Sequence, residues 1–168
     1  KEVNLPTLLI VEDEEKDIRL IQSYLHGEAY QIEVAKTGEE TLAMMLKTKV
    51  DLVLLDILLP GMDGFEVVKR LRKMEEAENV QIVAVTNLQD MQSKIKGIEL
   101  GADDYLVKPI NKHELRVRIR SLVKKKAYLD SLRNEYASAV QTAITDRLTG
   151  LYNRAYFDHF IKLEVKRA

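Results

Sequence analysis

DLVLLDILLPGMDG, residues 51–64, decides the fold. The opening DLVLLD (51–56) is apolar on both alternating faces, as in a central strand of a parallel sheet with helices covering both sides. Asp56 closes that strand, and an acid ending a fully apolar strand needs a partner. GFEVVKRLRKM follows, with Val67, Val68, Leu71 and Met74 at helical spacing. Toward the N terminus, TLLIV (7–11) is a buried strand, and Ile18, Ile21 and Leu25 share one helical face. YQIEVA (30–35) alternates, as an edge strand does, and 38–48 is a helix expected to turn Leu42, Met45 and Leu46 inward. Toward the C terminus, VQIVAV (80–85) is a fourth strand. Met91, Ile95 and Ile98 define the next helix, with Gly101 as its C-terminal cap. YLVK (105–108) is a fifth strand, and another helix starts near Asn111. Repeated β–α units of this kind specify an α/β fold, a doubly wound parallel sheet whose ligand site lies at the carboxyl ends of the strands.

The composition fits that class. A length of 168 residues suits one domain, or one domain and a fragment; 46% hydrophobic and 32% charged residues suffice for a full core. The net charge of −1 gives no overall pull toward nucleic acid or a membrane. With no cysteine there is neither a disulfide nor a thiolate metal site, which fits a reducing, cytoplasmic setting. The apolar runs are too short to span a bilayer, and no secretory signal is present. A start at Lys1 and a last segment that still has helical periodicity are expected of a piece of a longer protein.

The strand ends carry the chemistry. Glu12 and Asp13 follow the first strand, Asp56 ends the third, Thr86 ends the fourth, and Lys108, before Pro109, ends the fifth. Crowded carboxylates repel one another unless a cation neutralises them. Mg²⁺, a hard ion bound by carboxylates, a carbonyl and waters, suits such a set. Lys108 and Thr86 would then face an anion with several oxygens, and phosphoryl transfer to a carboxylate uses this combination. Each residue alone has an ordinary explanation: Glu12 and Asp13 as acids at a helix N-terminus, Thr86 as a strand residue, Lys108 as a solvated charge. Together, on one sheet edge, they do not.

LLIVEDEE, LVLLDILLPGMDG, IVAVTN and DDYLVKP resemble the response-regulator receiver domain of two-component signalling, over residues 5 to about 124, with the domain placed at 1–124. The resemblance implies a flavodoxin-like five-stranded (βα)5 sheet and a phosphohistidine donor on a histidine kinase or phosphotransfer protein. It implies that Glu12, Asp13, Asp56 and the Leu58 backbone carbonyl bind Mg²⁺, and that Asp56 is the phosphoacceptor. Lys108 would pair with the phosphoryl oxygens, an ion pair expected only once phosphate is present. Thr86 would hydrogen-bond one phosphoryl oxygen, Tyr105 would be the aromatic switch, and Pro109 would follow a cis peptide. Tyr105 could equally pack without switching. Asn87 stands where the family has a small residue. Leu58 and Leu88, apolar at positions flanking the hydrolytic water, are expected to lengthen the lifetime of the aspartyl phosphate.

From Glu114 to Ala143 neither glycine nor proline interrupts a long helix. Leu115, Leu122, Leu129, Tyr136 and Ala143 recur every seven residues, with Leu132 and Ala139 between them, a coiled-coil-like seam broken by Arg118 and Lys125. Residues 125–145 form a helical linker that would favour a homodimer, although docking on the receiver explains the first third of the stripe equally well. The basic residues Lys108, Lys112, Arg116, Arg118, Arg120 and Lys124–Lys126 fit a solvated face, or partners for acids on a second subunit, better than a nucleic-acid surface. TDRLTGLYNRAYFDHFI then gives D-x-LTGL-x-NR through Asp146, Leu148, Thr149, Gly150, Leu151, Asn153 and Arg154. This looks like the opening of the GGDEF domain of diguanylate cyclases, placing 146–168 as its N-terminal fragment. The GGDEF signature itself is absent. Two functions follow: the regulatory half of a diguanylate cyclase, itself not an enzyme, or a freestanding relay or protein-binding receiver with a helical tail.

Overall fold

Alternation along each central strand sorts its side chains into two cores. In the computed structural model, which describes residues 2–87 and 91–144, the order is β1 (Thr7–Val11), α1 (Glu15–Tyr24), β2 (Gln31–Ala35), α2 (Gly38–Lys47), β3 (Leu52–Asp56), α3 (Gly64–Leu71), β4 (Gln81–Thr86), α4 (Met91–Leu100), β5 (Asp104–Val107) and α5 (Lys112–Ile144). The strands form one parallel sheet in the order β2-β1-β3-β4-β5. Leu9, Val11, Val53, Leu55, Ile82 and Ala84 meet Met45, Val67, Val68 and Leu71 of α2 and α3 on one face. Leu8, Ile10, Leu52, Leu54, Val83 and Val85 meet Ile21, Leu25, Leu115 and Ile119, from α1, its C-terminal end and α5, on the other. Both faces are therefore dry, and β1, β3 and β4 are buried at every position. This is the expected flavodoxin-like receiver fold with a long C-terminal helix.

Local chemistry sets the helix ends. The Thr37 hydroxyl accepts the Glu40 N–H, while the Glu40 carboxylate reaches back to the Lys36 N–H, close to a capping box. Asp63 and Asn111 cap α3 and α5 through the N–H groups of Glu66 and Glu114. Gly101 ends α4 at φ +113, a backbone conformation that a side chain disfavours.

Two helices turn differently from the expectation. On α2, Met45 is buried and Leu42 half-buried as expected, but Leu46 is 64% exposed and Thr41 is buried in its place. On α4, Met91, Ile95 and Ile98 are exposed. The helical period is right, but the inward face is Ser93, Lys94, Gly97 and Leu100. The ammonium groups of Lys94 and Lys96 lie over the rings of Tyr105 and Phe65 at 4.7 and 4.5 Å. Met74 lies beyond the end of α3, before a 3-10 turn at Glu75–Ala77, yet still packs on the core.

The chain divides into two compact units, one ending at Lys126 and one beginning at Ala127. In the first, α5 buries Leu115 and Ile119, and Leu122 is half-buried. Its basic residues pair within the same unit: Arg116 with the Tyr24 and His26 carbonyls, Arg118 with Asp104, Arg120 with Glu28, and Lys126 with Asp51. Acids of this chain thus take much of the charge run. Of the second unit only Ala127–Ile144 is described. Leu129 is half-buried there, while Tyr128, Leu132, Tyr136 and Val140 are exposed. The D-x-LTGL-x-NR run and Leu88 lie outside the described residues.

Candidate functional site

The carboxyl ends of β1, β3, β4 and β5 meet because the parallel pairing sets Val11 beside Leu55, Asp56 beside Val85, and Thr86 beside Val107. Glu12, one residue past β1, is anchored through its N–H to the Ala35 carbonyl and is 1% exposed. Asp56 is the last residue of β3 and is also buried. Its Oδ1 accepts the Leu58 N–H at 2.9 Å. The loop after it folds back tightly: Gly64 donates to the Ile57 carbonyl, and a Cβ at Gly64 would lie 2.5 Å from the Ile57 Cα and 2.8 Å from the Asp56 carbonyl oxygen. Only glycine fits that close approach. Lys108 follows β5, its N–H bonded to the Thr86 carbonyl, and a cis peptide joins it to Pro109.

Oxygens of Glu12, Asp13 and Asp56 lie within 4.8 Å of one another. Three hard oxygen donors at this spacing, beside a cavity of about 640 Å³ that Asp13, Asp56, Leu58, Asn87 and Lys108 help to line, suit Mg²⁺ with waters completing its shell. Lys108 Nζ already stands 3.0 Å from Glu12 Oε2, Asp56 Oδ2 and Asp17 Oδ2. This corrects the expectation that its ion pair forms only with phosphate. The ammonium neutralises the acids that surround it.

Burial pushes the Glu12 carboxyl up to about 7, and the neighbouring Asp56 adds to the rise. Burial pulls the Lys108 ammonium down, but the hydrogen bonds it donates to Glu12, Asp17 and Asp56 outweigh it and hold the group above its ordinary value. Thr86 is 5% exposed at the end of β4, and Tyr105 is half-buried on β5 with Lys94 over its ring. Asp17 was not among the residues singled out from sequence. The available signal was its place four residues after Asp13, in the first turn of the helix that starts at the same edge.

The family model described as the response regulator receiver domain matches residues 8–120. The chain belongs to the response regulator receiver family. The receiver is a non-enzymatic phosphoacceptor of two-component signalling, which implies a histidine kinase or phosphotransfer partner. Receivers bind Mg²⁺ at an acidic pocket, and Glu12, Asp13 and Asp56 form an acidic cluster here. The chain is 36% identical over 151 residues to the response regulator PleD of Caulobacter vibrioides, covering 88% of this chain and 33% of that protein. It is 39% identical over 118 residues to the transcriptional regulatory protein PcoR of Escherichia coli, covering 70% of this chain and 51% of that one. It therefore spans a third to a half of these relatives. A putative response regulator from Chloroflexus aurantiacus superposes with a TM-score of 0.69 at 36% identity, over 72% of this chain and 99% of the other. CheY4 of Vibrio cholerae, a chemotaxis response regulator, gives 0.67 at 28%, over 71% and 99%. Among the described residues, no helix is long and apolar enough to cross a membrane.

The raised Glu12 value has a definite sign. Between 4.5 and about 7 the folded receiver holds a proton that the unfolded chain has released, so stability falls as pH rises through that window. In a chelator, the unfolding free energy of the parent relative to Glu12→Gln should decline from about pH 4.5 to 7. Denaturant titrations across that range will show it; a flat difference would mean that Glu12 is not held as a buried acid.

Proposed function

We propose that this receiver accepts a phosphoryl group on Asp56 from a phosphohistidine of a histidine kinase or phosphotransfer protein, and passes the signal to a C-terminal GGDEF diguanylate cyclase domain. The observation that carries the first half is the meeting of Glu12, Asp13 and Asp56 oxygens with the Lys108 ammonium at 3.0 Å from the acceptor. Glu12, Asp13, Asp56 and the Leu58 carbonyl would hold Mg²⁺. When bound, the ion supplies positive charge against the oxygens of the incoming phosphoryl group. An Asp56 carboxylate oxygen attacks phosphorus, the P–N bond to the histidine breaks, and its electron pair leaves with the imidazole. Lys108 pairs with the transferred oxygens, and the Leu58 N–H orients the carboxylate. Thr86, at the neighbouring strand end, would then bond a phosphoryl oxygen, and Tyr105 would follow it as the aromatic switch.

The output half rests on the D-x-LTGL-x-NR run at 146–154. The likeness to PleD also extends over more residues than the 8–120 receiver match. In this division, 1–124 is the receiver, 125–145 the helical linker and 146–168 the start of the output domain. The exposed Leu132, Tyr136 and Val140 give the linker an apolar stripe suited to a second copy. A homodimer would bring two output domains together. This proposed role is cytoplasmic, with no nucleic acid or membrane partner. The second reading, a freestanding relay or protein-binding receiver, assigns the same stripe to another protein.

With Mg²⁺ and acetyl phosphate, the chain should gain one phosphoryl group. Asp56→Asn should take up none, because an amide is a poor nucleophile. Intact-mass measurement decides, and undiminished labelling of the variant removes the assignment.

Phosphorylation shifts an assembly only by binding its two arrangements differently. Beryllofluoride with Mg²⁺ should move the sedimentation profile of the chain from monomer toward dimer. Identical mass distributions with and without it would exclude signalling by dimerisation.

A further inference from the structure

We propose that Asp17 is a positioning residue that keeps the Lys108 ammonium in place when a divalent cation takes up the acids of the cluster. The proposal rests on the phosphoacceptor reading above and extends it to a residue outside the acid cluster.

An ammonium group has three hydrogens, and Lys108 faces three acceptors: Glu12 Oε2, Asp56 Oδ2 and Asp17 Oδ2, each at 3.0 Å. Glu12 and Asp56 also belong, with Asp13, to the cluster suited to a metal. Asp17 stands outside it. The ammonium and a divalent cation therefore compete for the same carboxylates, and like charges on shared carboxylates repel. Lys108 must loosen its hold on Glu12 and Asp56 as the metal enters. Its charge still has to remain at the edge, to meet the phosphoryl oxygens that arrive next.

Asp17 answers both demands. It sits in the first turn of α1, with its N–H bonded to the Glu14 carbonyl, so the helix itself fixes its backbone. Its side chain is 21% exposed, as is that of Lys108. The pair is therefore only partly screened by water and keeps much of its strength. Before the metal binds, Asp17 is one of three partners; afterwards it is the partner that the metal does not claim. Removing it should harm the metal-bound state more than the metal-free one.

A rival explanation needs no positioning. Asp17 could attract Mg²⁺ through space, merely as another negative charge beside the cavity. A double-mutant cycle on the whole chain separates the two, read by calorimetric titration with Mg²⁺ alone. Asp17→Asn should weaken Mg²⁺ binding about tenfold or more, the worth of one charge-assisted hydrogen bond. Lys108→Met should tighten it by removing the competing cation. In the Lys108→Met background, Asp17→Asn should change the affinity by less than about twofold, within ordinary additivity. Circular dichroism and denaturant midpoints check that each variant is folded. An unchanged affinity in Asp17→Asn, or an equal loss with and without Lys108, would overturn the proposal. Failure of the parent itself to bind Mg²⁺ would instead overturn the phosphoacceptor reading beneath it.

Discussion

Glu12, Asp17 and Asp56 converge on the Lys108 ammonium where the sheet ends, and the balance of charge at that point governs the rest of the receiver. Buried carboxylates so close together repel, and each loses most of its hydration. They coexist because a cation lies among them at 3.0 Å from each. A divalent metal can share or replace that neutralisation, and a phosphoryl group can draw the ammonium toward itself. The acids at this edge outnumber the Lys108 ammonium among them, which leaves negative charge for a divalent cation to meet.

The sheet makes this crowding possible. Parallel strands aim all their carboxyl ends one way, and the order β2-β1-β3-β4-β5 sets β1 beside β3 although β2 separates them in sequence. The crevice opens there, as expected at a switch in strand order. Dry cores on both faces fix the register, since a one-residue slip would turn the apolar set of a strand to the opposite core. The close turn of Gly64 over Ile57 and the Leu58 N–H to Asp56 then hold the Asp56 carboxylate in one orientation.

Much of this was legible in the sequence, because period-two burial and strand-end polar residues leave local marks. Asp56, Glu12, Asp13, Thr86 and Lys108 could be placed on one edge before any coordinates. What failed to show was tertiary. The period of α4 is plain, yet Met91, Ile95 and Ile98 face outward while Gly97 faces in, because the side a helix presents depends on its neighbours. Leu46 on α2 misleads for the same reason. Asp17 carries no strand-end mark and gains its meaning only from Lys108, 91 positions away in the chain. Arg72, which ties the Gly101 and Val80 carbonyls to Asp103, is likewise invisible without the fold.

Lys108 stands at the centre of this account as the counter-ion that Mg²⁺ can replace. Thermal unfolding of the parent and of Lys108→Met, at pH 8 in a chelator and again in saturating Mg²⁺, tests that role directly. In the chelator the variant should melt roughly 5 °C or more below the parent, since its buried acids have lost their cation. Saturating Mg²⁺ should close most of that gap. A deficit of the same size in both conditions would contradict the shared-cation account.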